Sequence, residues 1–157
     1  MHDKEHWQDV WTRKKPNEVS WYQECPKTSI DLILSTNPSK DAKIIDVDSG
    51  DSRLVDKLLE LGFRNITVLD ISIKALERTK ERLGKNAEIV KWIECDIREF
   101  ESTEGYDIWH DRALLHFLIS EDDLKNYVNL VRKHVKKGGY LIISTFSVNG
   151  PMMCSGL

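Results

Sequence analysis

The sequence predicts an α/β domain built on a doubly wound, mostly parallel sheet. Three observations predict it. From Lys43 onward, short apolar runs alternate with amphipathic stretches of helical period. Two of the runs, "KIIDVD" and "YLIIS", are almost continuously apolar, as strands buried on both faces are. The 157 residues, 40% apolar and 31% charged, suffice for one domain with a sizeable core.

Residues 3–13 read as a helix with Trp7 and Trp11 four apart on one face. "KKPNEVSWYQECP" reads as a loop punctuated by Pro16 and Pro26, and "TSIDLILSTNPSKD" as a helix closed by its "NPS" turn. These segments make an N-terminal helical cap, residues 1–40, on a βα core of residues 41–157 in a single domain. "KIIDVD" is the first strand, and "SRLVDKLLELG" a helix closed by Gly62. "NITVLD" is the second strand, followed by a helix with Ser72 as N-cap and Gly84 past its end. "EIVKWIECD" and "YDIWHD" are the third and fourth strands. "EDDLKNYVNLVRKHVKKGG" is a helix with acids first, bases last and glycine at the stop, and "YLIISTFS" is the fifth strand.

The formal charge of −3 and the short basic clusters, Lys14-Lys15 and Arg132 to Lys137, leave no nucleic-acid footprint. Cys25, Cys95 and Cys154 are far apart and form no Cys-x-x-Cys pair, so free thiols in a reducing compartment are expected, without metal or disulfide framework. No His/Cys/carboxylate cluster has ligand spacing. The N-terminus lacks an apolar signal core, and no apolar run approaches a membrane span. A cytoplasmic protein without membrane contact is expected.

Ligands of such sheets bind outside the carboxyl ends of the strands, at the switch point of the strand order. Each of the first four strands ends in an acid: Asp48, Asp70, Asp96 and Asp111. Such acids also serve as ordinary helix caps. The first loop, "DSGDS", lacks the G-x-G-x-x-G of dinucleotide sites. Asp48 and Asp51 there would repel a phosphate. A phosphate-free ligand with positive charge suits the loop better, and S-adenosylmethionine is one. A first-loop carboxylate can hold its ammonium, and Gly50 lets the backbone approach its methionine part. Asp70 is placed for the ribose hydroxyls and Asp96 for the adenine amino group.

In the order and spacing of "HWQDVW…EVSWYQ", "IIDVDSGDS", "ITVLDIS", "IECDI", "YDIWHDRALLHFL" and "VKKGGYLIIS", the chain resembles the class I S-adenosylmethionine-dependent methyltransferases. The subgroup it is most similar to is that of small stand-alone enzymes of thiopurine, tellurite and elongation-factor-lysine type. The resemblance implies their Rossmann-like fold and a methyl transfer that yields S-adenosylhomocysteine. It places Asp46, Asp48 and Gly50 in the cofactor loop, Asp70 at the ribose, Asp96 and Ile97 at the adenine, and Ile71 among the residues that touch the cofactor. It places Trp7, Trp11 and Tyr22 in a segment that closes over the cofactor. His110, Asp111 and Arg112 would face methyl donor and acceptor and carry the catalytic roles, His110 also touching the cofactor. Gly138-Gly139 would be the turn into the fifth strand.

Two departures stand out. Asp48 replaces the glycine usual in the family's loop, and Ser49 follows where close relatives often have glycine. The fold usually continues with a helix and an antiparallel strand pair, so this sequence, C-terminally truncated relative to that fold, is expected to be a fragment, a truncated form, or a chain that covers the edge with a partner. Its fifth strand would be an exposed edge open to self-association.

His110 is either a base near neutral pH or a hydrogen-bonded structural imidazole. Arg112 either clamps a substrate carboxylate or pairs with Asp111. Trp7 and Trp11 are equally consistent with packing and with cofactor contact. Trp21, Trp92 and Trp109 are read as packing, His116 as half-buried, and His2, His6 and His134 as superficial. The acceptor stays open between a small molecule (a thiol or metalloid) and a protein lysine. Two rival functions remain: an inactive S-adenosylmethionine-binding module, and a nicotinamide-dependent oxidoreductase, against which the acidic loop argues.

Overall fold

The computed structural model describes residues 4–150. His2 and Cys154, read above as superficial and as a free thiol, lie outside the described residues. The elements are α1 (Lys4–Arg13), α2 (Lys27–Ser35), β1 (Ile44–Val47), α3 (Leu54–Glu60), β2 (Ile66–Asp70), α4 (Ile73–Leu83), β3 (Lys91–Glu94), β4 (Tyr106–Arg112), α5 (Glu121–His134) and β5 (Val135–Ser144). The five strands form one parallel sheet in the order β3-β2-β1-β4-β5. The order reverses between β1 and β4, so the loops after these two strands diverge and open a crevice.

Strand alternation sends neighbouring residues to opposite faces. Ile44 and Ile108 join Ile33, Leu54, Leu58 and Phe63 in the core on one face. Ile45, Val47 and Trp109 join Tyr127 and Val131 of α5 in the core on the other. The central strand β1 is thus buried on both faces, as its sequence predicts, and β4 is largely so. "YLIIS", expected to be buried in the same way, lies instead in the edge strand β5, where Ile142 alone of the five is buried. Ser72 caps α4 by accepting from the amide of Ala75, and Ser120 caps α5 by accepting from that of Asp123.

Three boundaries differ from expectation. β3 is four residues rather than the expected nine of "EIVKWIECD": Glu88 and Ile89 belong to a 3-10 turn over residues 84–89, and Asp96 caps the next turn instead of extending. β4 runs one residue past Asp111, which therefore lies inside the strand. The helix α5 stops at His134, five residues before Gly139, and the chain passes straight into β5. The glycines absorb a bulge rather than end a helix. Tyr106 pairs Val135, yet Ile108 pairs Tyr140, so extra residues of β5 must loop out opposite Asp107. Gly138 adopts φ 79°, and a Cβ on Gly139 would lie 2.9 Å from the carbonyl oxygens of Asp107 and Lys136.

His134, expected at the surface, is 2% exposed: it stacks on Trp109 and approaches Phe100. Cys25 and Cys95 are free thiols. Among the described residues no helix is long and apolar enough to cross a membrane. The β5 edge exposes Tyr140, Leu141 and Ile143.

Candidate functional site

The crevice at the switch point is lined by Trp7, Trp11, Trp21, Asp48, Ser49, Gly50, Asp70, Arg112, Ala113 and Phe117. A second small cavity behind Trp7 is lined by Asp48, Leu69, Ile71, Ile97, Leu114 and Phe117. Together they bring in eight of the residues singled out above: Trp7, Trp11, Asp48, Gly50, Asp70, Ile71, Ile97 and Arg112.

The floor is set by Asp70. Its two carboxylate oxygens accept from the amides of Gly50 and Ser72, each at 2.7 Å. These bonds tie the loop after β1 to the end of β2, and Gly50 takes φ 56° to make its bond. Trp11 lies directly on this glycine, where a Cβ would come within 2.6 Å of the indole. Trp11 also packs with Val19 and with Ala75 of α4. Gln8, one turn earlier on α1, accepts from the Ser72 hydroxyl and the Lys74 amide. The N-terminal helix is thus clasped to the start of α4, its aromatic face roofing the loop. Trp7, Trp21 and Phe117 meet edge to face at 5.4–6.1 Å. The space left under this roof is only about 40 Å³, room for about three waters.

Trp21 and Phe117 were missed as site residues. Both come from segments far from the loop in sequence, and no local spacing marks them. Tyr22 packs in the same aromatic cluster without lining the cavity.

Asp51 does not face the crevice. It accepts from Thr79 and is ion-paired to Arg82 of α4, which also grips Asp56 and the Ser52 carbonyl. Its assumed repulsion of a bound phosphate is therefore neutralised by Arg82, and Asp48 is the loop carboxylate left facing the cavity. Asp96 caps the short turn at residues 97–99 and pairs with Arg98, outside both cavities.

Asp46 and His110 are register partners on adjacent strands, on the face covered by α2. His110 Nδ1 lies 2.7 Å from Asp46 Oδ1, and its Nε2 lies 2.9 Å from the Ser29 hydroxyl of α2. All three are at most 3% exposed. Both ring nitrogens are engaged inside the protein, which is the geometry of the structural imidazole. One residue on, Asp111 points to the opposite face. It accepts from the Leu114 amide at 3.0 Å and from Tyr127 Oη at 2.7 Å, and Tyr127 in turn accepts from Trp109 Nε1. Arg112 donates to the Trp21 carbonyl and to Gln23 Oε1 rather than to Asp111.

Burial drives the electrostatics. It pushes the Asp70 carboxyl up to about 6 against the two amides that lower it. Burial raises Asp48 well above the usual carboxylate range, helped by Asp70, Asp111, Asp96 and Asp46. It raises Asp111 too, against Tyr127 and Leu114, and lowers Arg112. A carboxyl whose pKa is higher folded than unfolded binds more proton in the folded chain. Stability from this group therefore rises as the pH falls from about 6 toward 3.8. Urea midpoints measured from pH 7 to pH 4 should show that gain in the wild-type chain and a smaller one in Asp70→Asn.

Among the described residues no cluster of three or more His, Cys, Asp or Glu could hold a metal ion. The donor set suits an adenosyl amino acid. Asp70 keeps acceptor positions on both oxygens, since a carboxylate offers about four. Gly50 presents bare backbone, and Asp48 presents a carboxylate.

A methyltransferase-domain family profile matches residues 38–155. EEF1A lysine methyltransferase 2 of Danio rerio is 27% identical, the match covering 90% of this chain and 67% of that protein. Nodulation protein S of Rhizobium tropici is 25% identical over 73% of this chain, which spans only 47% of that relative. Among solved structures, the N-methyltransferase NodS from Bradyrhizobium japonicum WM9, in complex with S-adenosyl-l-homocysteine, superposes with a TM-score of 0.69 at 19% identity, over 88% of this chain and 72% of that one. The parallel sheet with its switch-point crevice is thus the Rossmann-like class I methyltransferase fold, and the chain belongs to the methyltransferase domain family.

Proposed function

We propose that this domain transfers a methyl group from S-adenosylmethionine to a small-molecule or protein side-chain acceptor. The observation that carries the reading is the Gly50–Asp70 clamp at the switch point, under an aromatic roof, in a chain of this family. S-adenosylmethionine supplies an electrophilic methyl on a sulfonium. The faces of Trp7 and Trp11 would attract that cation by roughly 1 kcal/mol. Asp70 would accept from the ribose hydroxyls, with Ile71 and Ile97 beside the adenine. Asp96 would reach the adenine amino group only by sharing its bond to Arg98.

Methyl transfer from a sulfonium is an in-line displacement, so alignment carries most of the rate. His110 acts here as a positioning residue that holds Asp46 against α2, and Asp111 holds the loop after β4. Arg112, on the cavity wall, is the candidate to orient an anionic group of the acceptor. The names of the NodS and lysine-methyltransferase relatives favour an amine nitrogen as acceptor.

Calorimetric titration with S-adenosylmethionine and S-adenosylhomocysteine tests the reading. Binding is expected for both, with the heat lost in Asp70→Ala. Binding without turnover on any amine or thiol offered would leave a binding module. Heat with a nicotinamide dinucleotide alone would favour the oxidoreductase.

We also propose a cytoplasmic setting, supported by the free thiols, and self-association through the β5 edge. Sedimentation should then show a dimer whose population rises with concentration. A monomer throughout the millimolar range removes the second proposal.

A further inference from the structure

Resting on the function proposed above, we propose that the Asp48 carboxylate is the group that takes the ammonium of the cofactor's methionine part. The acids around this loop are otherwise engaged. Asp46 is held by His110, Asp51 by Arg82, Asp70 by two amides, Asp96 by Arg98 and Asp111 by Tyr127. Among the described residues the Asp48 side chain has no hydrogen-bond or ion-pair partner. It borders both cavities flanking Trp7. The one cation lining these cavities, Arg112, donates to Trp21 and Gln23 instead.

A carboxyl set among acids and indole rings is favoured in its charged form by a cation beside it. A carboxylate accepts hydrogen bonds, so the cation must also donate them. The ammonium donates and the sulfonium does not. The backbone points the same way. Asp48 sits at φ 53°, a left-handed conformation that glycine adopts freely and an L-residue at a cost. Asp46 lines neither cavity, so the carboxylate offered to a ligand by this loop is Asp48.

Titration of the full chain with S-adenosylhomocysteine and with 5′-methylthioadenosine, which lacks the amino-acid part, tests this. Asp48→Asn keeps a residue that tolerates the left-handed conformation and removes the charge. It should weaken S-adenosylhomocysteine about ten- to a hundredfold, the loss of one charge-assisted hydrogen bond. 5′-Methylthioadenosine should bind as in the wild type. Asp48→Gly, which relieves the backbone, should show the same selective loss. Unchanged affinity for S-adenosylhomocysteine in Asp48→Asn, an equal loss of both ligands, or tighter binding in Asp48→Gly would each overturn the assignment while leaving the proposed function intact. A wild-type chain that binds neither ligand overturns both.

Discussion

The Asp70 carboxylate, shared between the amides of Gly50 and Ser72, is the contact on which the site depends. It joins the ends of the two adjacent strands whose loops floor the crevice. It fixes Gly50 in a conformation that leaves bare backbone beneath Trp11, and it orders Ser72, the residue that caps α4 and receives Gln8 from α1. The floor, the wall and the roof thus meet at one side chain. The cost is a buried carboxyl whose proton is held to about pH 6. Nearby carboxyls, Asp48 and Asp111, are raised the same way, so the crevice has few cations to balance its own acids.

Strand β4 serves both faces of the sheet in consecutive residues. His110 reaches one face, where Asp46 and Ser29 enclose it; Asp111 reaches the other, where Tyr127 meets it. Each buried polar group is satisfied by an element that must dock for the bond to form: α2 on one side, α5 on the other. Losing a partner would strand a buried donor or acceptor, which costs about 1–3 kcal/mol. The same alternation that buries apolar residues on both faces therefore also fixes the helices that flank the site.

Much of this was legible in the sequence because central parallel strands are apolar on both faces and helices carry their caps. Ser72 as N-cap, Trp109 in the core and the strand positions of β1, β2 and β4 follow from such local rules. The α5–β5 boundary did not, since "VKKGG" looks like a helix end while pairing with β4 demands a bulge. Trp21, Phe117 and the burial of His134 depend on contacts between distant segments, which leave no periodic trace. Asp51 shows the same limit: an acid in a ligand loop looks exposed until Arg82, thirty-one residues on, is seen to cover it.

The five tryptophans divide between roof and scaffold, which makes the central claim directly measurable. Trp7, Trp11 and Trp21 line the cavity, whereas Trp92 and Trp109 donate their indole protons to Ala87 and Tyr127 away from it. Nuclear magnetic resonance of the indole N–H groups during addition of S-adenosylhomocysteine reads them separately. If the ligand binds in this crevice, the three cavity indoles shift and the two scaffold indoles stay. Saturating ligand that leaves Trp7 and Trp11 unmoved, or that moves Trp92 and Trp109 equally, would contradict a site at this crevice.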